Sequence, residues 1–182
     1  MTVLIIIAVV AVLVFWVISV QRKLVGKEEL CKNAMSQIGV QQSSCWDALT
    51  ALIELVKSYN EHEYNSLRDI IAARRDITAS SSTQEAEAQE QAIAGALQKL
   101  NFVVERYPAL KANENYAKAM DAVNTYENQV RTARMVYNDT VTNFNRLVRQ
   151  LPDSLIAGLL GFTEKEYLKV EEGKTSMPSM KI

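Results

Sequence analysis

Residues 114–151, ENYAKAMDAVNTYENQVRTARMVYNDTVTNFNRLVRQL, decide the fold class of this 182-residue chain. Positions at alternating spacings of four and three are mostly apolar, which is the repeat of an α-helix with one buried face. The repeat comprises Tyr116, Met120, Val123, Glu127, Val130, Arg134, Tyr137, Val141, Phe144, Val148 and Leu151. Asn113 precedes the stretch as a helix cap, and Pro152 follows it where a helix cannot continue. The stretch therefore predicts one long amphipathic helix.

The same spacing extends over a longer stretch nearer the N-terminus. Ten of its fourteen repeat positions are apolar, which predicts a core-facing helix of about fifty residues from Cys31 to Ile77. Gly26 and Gly39 are its weak points, because glycine costs about 1 kcal/mol against alanine inside a helix. The apolar segment before it either runs straight into this helix or hinges at Gly26, and both arrangements stay open.

Two capping boxes mark the remaining helices. Ser82, followed three residues later by Glu85, predicts a helix that starts at the next residue and is stopped by Pro108. Thr163, followed by Glu166, predicts a short last helix that reaches to about residue 172.

The links between these helices are short, so neighbouring helices should run antiparallel. No stretch shows the period-two alternation of a strand. We therefore predict an all-α protein: an N-terminal transmembrane helix, an antiparallel up-down-up bundle of long helices, and a short C-terminal helix. The predicted divisions are an anchor at 1–21, the bundle at 22–172 and a flexible tail at 173–182.

The first twenty residues carry the transmembrane prediction. Sixteen apolar residues run without a break from Val3 to Ile18, and Ser19 and Val20 extend the uncharged stretch. Eighteen helical residues span about 27 Å, close to the hydrocarbon thickness of about 30 Å. A cleaved signal peptide would have a basic residue before the run and a small-residue site after it. An uncleaved anchor is favoured, formed by Val3, Ile5, Val9, Val12, Phe15, Trp16 and Ile18.

The charges beside the anchor predict its orientation. Arg22, Lys23 and Lys27 follow the span, and positive residues stay on the cytoplasmic side of a membrane. The bundle is therefore expected in the cytoplasm, with the anchor crossing the membrane once. The reducing cytoplasm also suits two unpaired cysteines.

Composition argues against most catalytic and binding chemistry. With a net charge of −1, the chain has no overall positive potential that would attract nucleic acid. His62 and Glu63 would need a second histidine at Ser66 to form a zinc-protease motif, and the chain has no other histidine. Cys31 and Cys45 lie about 21 Å apart along one helix, too far for a disulfide. We expect no catalytic residue, no metal and no cofactor.

Two charged residues interrupt the buried face of the 114–151 helix. Glu127 and Arg134 lie about 10 Å apart, so each needs a partner on another helix. Judged by their positions along the predicted helices, Arg74 or Arg75 is the expected partner of Glu127, and Glu63 is the expected partner of Arg134. Such pairs either fix helix register or form a ligand or partner site, and both interpretations stay open.

An apolar run from Leu155 to Phe162 follows Pro152 and is too short to span a membrane. Three roles are open for it. It closes the end of the bundle, re-enters the membrane surface, or docks a neighbour. The first is favoured because its two glycines allow close backbone packing.

Several segments resemble the LemA family. Residues 105–116, ERYPALKANENY, resemble that family's ERYPxLKANE signature, and residues 152–162, PDSLIAGLLGF, are similar to its PxxLIAGLFGF run. Residues 126–145 resemble the block between them. Residues 45–53, CWDALTALI, depart from a family stretch that contains proline, so the first long helix should be less interrupted here. The resemblance implies a bacterial, membrane-anchored, α-helical protein without established enzymatic activity.

These observations favour a non-enzymatic membrane scaffold that self-associates and organises or shapes the membrane. A fifty-residue helix would be only half covered by the second helix, leaving an apolar stripe that includes Leu55 and Ile71 for a neighbouring copy. The resemblance also implies proximity to membrane proteases and a relative involved in magnetosome membrane organisation. The alternative is a monomeric adaptor that presents its bundle to a membrane protease or signalling partner. The expected partners are membrane lipid, a second copy or another membrane protein.

Overall fold

The computed structural model describes residues 1–169, and no strand forms in this range. The predicted all-α fold is confirmed. The helices of this range are α1 (Thr2–Lys57), α2 (Glu61–Ile71), α3 (Thr83–Arg106), α4 (Pro108–Lys111), α5 (Glu114–Arg149) and α6 (Asp153–Leu159).

The first bundle helix ends at Lys57 and not at Ile77, so the prediction of one unbroken helix to Ile77 was wrong. Asn60 starts the next helix three residues later, because its side chain accepts hydrogen bonds from two backbone N–H groups at the start of α2. The helical repeat does not reveal this break. α2 folds back along α1 and buries Leu67 in the same core, so apolar residues continue to appear at the expected spacing.

A return segment, residues 72–82, continues from α2 back along α1. It passes very close to α1 at Gly39, where an added Cβ would overlap the carbonyl oxygen of Ile77. Gly39 is therefore a contact point between two parts of the backbone, and its lack of a side chain allows their close approach.

α3 then runs parallel to α1. It starts beside Gln42, whose Nε2 donates to the Ala86 carbonyl at 3.0 Å, and ends where Asn60 Nδ2 donates to the Tyr107 hydroxyl at 2.6 Å. α5 runs back antiparallel to α1 and α3. The bundle is therefore up-down-up-down, with one more pass than predicted, because α1 and α2 replace a single helix. Neighbours in the chain are antiparallel, as predicted.

In the described part of the chain, two clusters of buried residues form the core. The distal cluster fills the end far from the anchor and contains Cys45, Trp46, Leu49, Leu52, Ile53, Val56, Leu67, Ile93, Ala96, Leu97, Leu100, Val103, Val104, Leu110, Tyr116 and Val123. The basal cluster fills the end near the anchor and contains Val20, Leu24, Cys31, Ala34, Met35, Ile38, Ala86, Tyr137, Val141, Phe144, Ile156, Ala157 and Leu168. The core thus begins within the predicted anchor itself.

The helix starts and stops follow the predicted chemistry. Ser82 and Glu85 form a complete capping box at the start of α3, and the Asn113 side chain caps α5. α3 ends before Pro108, and α5 ends before Pro152. These boundaries were predictable because capping and proline effects act within one turn of the chain.

The predicted last helix from Thr163 does not form in the described residues. The short helix lies earlier, at α6, and residues 162–169 are irregular. Asn145 and Asn138 hold this irregular segment against α5. The Asn145 side chain donates to the Lys165 carbonyl and accepts from the Lys165 N–H, and the Asn138 side chain does the same with Leu168, all at 2.8–3.0 Å. The distance from Asn138 to Asn145, two turns of helix, is about 10 Å, and three extended residues from Lys165 to Leu168 also span about 10 Å. The two asparagines are therefore spaced to reach both residues. Residues 170–182, which include the predicted tail, lie outside the described residues.

Candidate functional site

The N-terminal part of α1 has the properties of a membrane span. Its best window has a mean hydropathy of 3.3, and only 6% of that window is buried in the protein. Residues 1–15 are all exposed, whereas Trp16, Val17 and Ser19 are half-buried and Val20 is buried. Isolated exposed leucines are ordinary on soluble proteins, but a continuous apolar surface of this length is not. The predicted anchor residues Val3, Ile5, Val9, Val12, Phe15 and Ile18 are exposed.

The span continues into the bundle without a hinge. α1 remains helical through Gly26, and its 56 residues correspond to about 84 Å. Of the two arrangements left open at Gly26, the straight continuation is therefore the one observed. Because the same helix supplies both the exposed span and buried core residues such as Leu24 and Met35, the bundle is rigidly coupled to the span.

The apolar run 155–162 lies at the base of the bundle. Ile156 and Ala157 are buried in the basal cluster, and the Phe144 and Phe162 rings meet edge to face at 6.3 Å between centroids. One face of the run thus closes the bundle, as favoured. Its other face is exposed, with Leu155 and Leu159 on the outside.

Arg134 lies where α5, α3 and the C-terminal segment meet. Its guanidinium donates to the Glu90 carboxylate and to the Lys169 backbone carbonyl. The two ionic side chains are 14% and 25% exposed, so this pair is mostly removed from water. The prediction that Glu63 pairs with Arg134 was wrong. Glu63 instead accepts from Arg106 at 3.4 Å, near the distal end.

A signal for Glu90 is present in the sequence. In α3 the four-three repeat runs through Ala86, position 90, Ile93 and Leu97, so Glu90 occupies a core register position just as Arg134 does in α5. Opposite charges at two such interior positions are natural partners, because an unpaired buried charge is costly.

The other predicted pair does not form within residues 1–169. Arg74 donates to Asp47 at 2.6 Å and to the Ser43 hydroxyl at 2.6 Å. Glu127 has no ion pair in this range and lies half-buried near Cys45. The structure thus does not bring Glu127, Arg134, Arg74 and Glu63 together into one site. It distributes them over separate contacts.

Both cysteines are buried and free. Burial raises the pKa of the Cys45 thiol to about 12, with a smaller contribution from the Glu127 carboxylate. Burial also raises the pKa of Cys31, against a hydrogen bond with Thr140 that lowers it. Neither thiol has the depressed pKa of a reactive cysteine, so both behave as small core residues.

The described residues offer no grouped metal ligands. Within residues 1–169 no three His, Cys, Asp or Glu side chains lie close enough to hold an ion. His62 is exposed at the start of α2.

The apolar stripe expected to remain uncovered is covered. Leu55 and Ile71 are half-buried against the distal cluster, because the stretch predicted as one helix folds back on itself as α1 and α2. A different surface is available on the membrane-proximal half, a shallow groove between α1 and α5. Its lining carries no charge and consists of Ala34, Gln37, Gln41, Gln129, Thr132, Ala133 and Val136.

The chain is similar to a known family and to two curated relatives. The sequence profile of the LemA family matches residues 34–182. Two curated relatives, Magnetosome protein MamQ 1 and Magnetosome protein MamQ 2 of Paramagnetospirillum magneticum (strain ATCC 700264 / AMB-1), are each 30% identical to this chain over 74 residues. That match covers 41% of this chain and 27% of each relative. The chain thus aligns with only about a quarter of the length of those relatives.

Proposed function

The chain belongs to the LemA family, and we propose that it is a non-enzymatic, single-pass membrane scaffold that self-associates and organises or shapes the membrane. The observation that supports this proposal is the unbroken course of α1 from an exposed apolar span into the bundle core. A helix without a hinge fixes the angle between bundle and bilayer. When bundles contact one another, their anchors are then held at defined positions in the membrane.

The groove between α1 and α5 is the surface we assign to self-association. Its side chains are small or uncharged, so a second copy could approach closely without burying an unpaired charge. Val136, on its rim, is 50% exposed and adds apolar area. The name of the MamQ relatives associates them with the magnetosome, which is consistent with a role at a membrane.

We place the bundle on the cytoplasmic side of the bacterial inner membrane. Arg22 and Lys23 are exposed directly after the span, and Lys27 follows one turn later. These three positive charges support that orientation by the positive-inside rule.

Measuring the mass of the full-length protein in mild detergent tests self-association. The full chain is required because a truncation starting at Lys27 would delete Val20 and Leu24 from the core. Gln129→Arg places a charge in the groove, and Asn124→Arg places the same charge on an exposed position of α5 outside it. We expect a defined oligomer for the wild type and for Asn124→Arg, and a smaller species for Gln129→Arg.

Two results would contradict parts of this proposal. An oligomer that persists in Gln129→Arg would mean that the groove is not the contact. A wild-type protein that is monomeric in detergent and uncross-linked in native membranes would refute self-association. The monomeric adaptor for a membrane protease or signalling partner would then be the better hypothesis.

A further inference from the structure

The uncharged stretch of α1 runs on into the base of the bundle. It continues to Val20, two residues before Arg22. Residues 2–15 have no protein around them, whereas Trp16, Val17 and Val20 of the same stretch are packed in or against the basal cluster. The last turns of an apolar stretch that enters a bilayer lie at the boundary of its hydrocarbon core.

The base of the bundle therefore lies at the depth of the last turns of the span. α5 runs antiparallel to α1, and Thr140 of α5 lies close to the Cys31 thiol of α1, which packs in the basal cluster with Tyr137 and Val141. Nine residues further along α5, Arg149 is consequently level with about residue 22 of α1. α6 follows directly and contacts both helices. It is thus placed beside the part of α1 that must complete the span.

The outward face of this base is a leucine face. It consists of Leu151, Leu155, Leu159 and Leu160, which are 70%, 61%, 83% and 47% exposed. The first three are spaced four residues apart, so Leu155 and Leu159 share one side of α6. Between Arg149 and Glu164 the only ionisable side chain is Asp153. Four exposed leucines in ten residues are unfavourable in water but favourable at the boundary of a bilayer.

The charges around the leucine face agree with that location. Arg22, Lys23 and Arg146 are exposed at the same end, and none has an ion pair within residues 1–169. Interfacial segments combine an apolar face inserted to about 5–10 Å with basic residues that meet the lipid headgroups. The arrangement thus offers apolar side chains to the acyl chains and cations to the phosphates.

We propose that the leucine face is a second membrane contact, inserted into the headgroup and acyl boundary of the leaflet from which α1 emerges. This inference rests on the proposed membrane anchor and deepens it. The protein would hold the bilayer by one spanning helix and one interfacial helix. An asymmetric insertion in a single leaflet widens that leaflet, which gives the scaffold a physical means of shaping the membrane.

Depth-dependent quenching in vesicles tests the proposal. The full-length protein carries an environment-sensitive fluorophore on a single introduced cysteine. Leu159→Cys reports on the leucine face, Val12→Cys on the span, and Phe102→Cys on an exposed apolar position of α3. Cys31 and Cys45 can remain, since they are buried and their raised pKa values keep them unreactive at neutral pH. The vesicles contain phosphatidylcholine and phosphatidylglycerol, with or without a nitroxide near the top of one acyl chain.

We expect a blue-shifted emission and loss of fluorescence for the labels at positions 12 and 159, and neither change at position 102. Quenching at position 12 but not at 159 would overturn the second contact and leave the anchor intact. Absence of quenching at both positions would refute the anchor as well. Equal quenching at position 102 would mean that the bundle lies along the surface, which also overturns the proposal.

Discussion

Replacing Gly39 by alanine should destabilise the protein, although alanine is the better helix former. In an open helix position this change gains about 1 kcal/mol. At Gly39 the added methyl group would overlap the Ile77 carbonyl oxygen, which belongs to the backbone and cannot rotate away. The return segment 72–82 would have to move outward, and overpacking of this kind costs about 3 kcal/mol at the upper end of its usual range. The net expected loss is about 2 kcal/mol.

Gly95→Ala is the matched control. Gly95 is an exposed helix position in α3, and an added Cβ would meet open space. The control should therefore gain about 1 kcal/mol, which separates the two variants by about 3 kcal/mol. For a chain of this length the difference corresponds to about 6–12 °C in Tm.

Thermal unfolding of the full chain in mild detergent, followed by far-UV circular dichroism, measures the difference. The order expected is Gly95→Ala above wild type above Gly39→Ala. A Gly39→Ala protein as stable as the Gly95→Ala protein would show that the return segment does not pass over α1 at this point. The close approach, and with it the descending second pass of the bundle, would then be refuted.

Three further outcomes follow from the contacts. Arg134→Gln should lower the free energy of unfolding by about 1–3 kcal/mol, since its pair with Glu90 is partly exposed. A double-mutant cycle with Glu90→Gln checks the coupling, and additive losses would contradict the pairing. Asn145→Ala leaves the backbone groups of Lys165 without their partners and should cost about 2 kcal/mol in urea unfolding, whereas an unchanged midpoint would mean that this segment is not fixed to α5. The Cys45 thiol stays protonated in the folded protein up to about pH 12, whereas it ionises in the unfolded chain from its ordinary pKa of 9.0. Stability should therefore fall as the pH rises between these values, and Cys45→Ala should show a shallower fall; identical slopes would contradict the assignment.

Local chemistry made much of this protein predictable. The apolar run at the N-terminus, the capping box at Ser82, the cap at Asn113 and the stops at Pro108 and Pro152 each depend on residues within one or two turns. These features appear in the structure where the sequence placed them. The buried face of α5 was likewise readable, because a helical repeat reports burial whatever its neighbour is.

Partners and passes were not predictable in the same way. The repeat around Arg134 indicated that this buried charge needs an acidic partner, but it did not distinguish Glu63 from Glu90. Which residues of neighbouring helices lie at the same level depends on where the chain reverses direction. The reversal at Asn60 moved Glu63 to the distal end, where it meets Arg106.

By itself the sequence determined an all-helical protein, an N-terminal apolar segment long enough to cross a membrane, and most of the helix boundaries. Only the tertiary structure decided that residues 1–169 make four passes, that the return segment crosses α1 at Gly39, and that α6 packs beside the end of the apolar segment. The physical reason is range. Capping, proline effects and helical periodicity act within a few residues, whereas the close approach at Gly39 and the exposure of Leu159 depend on segments brought together by packing.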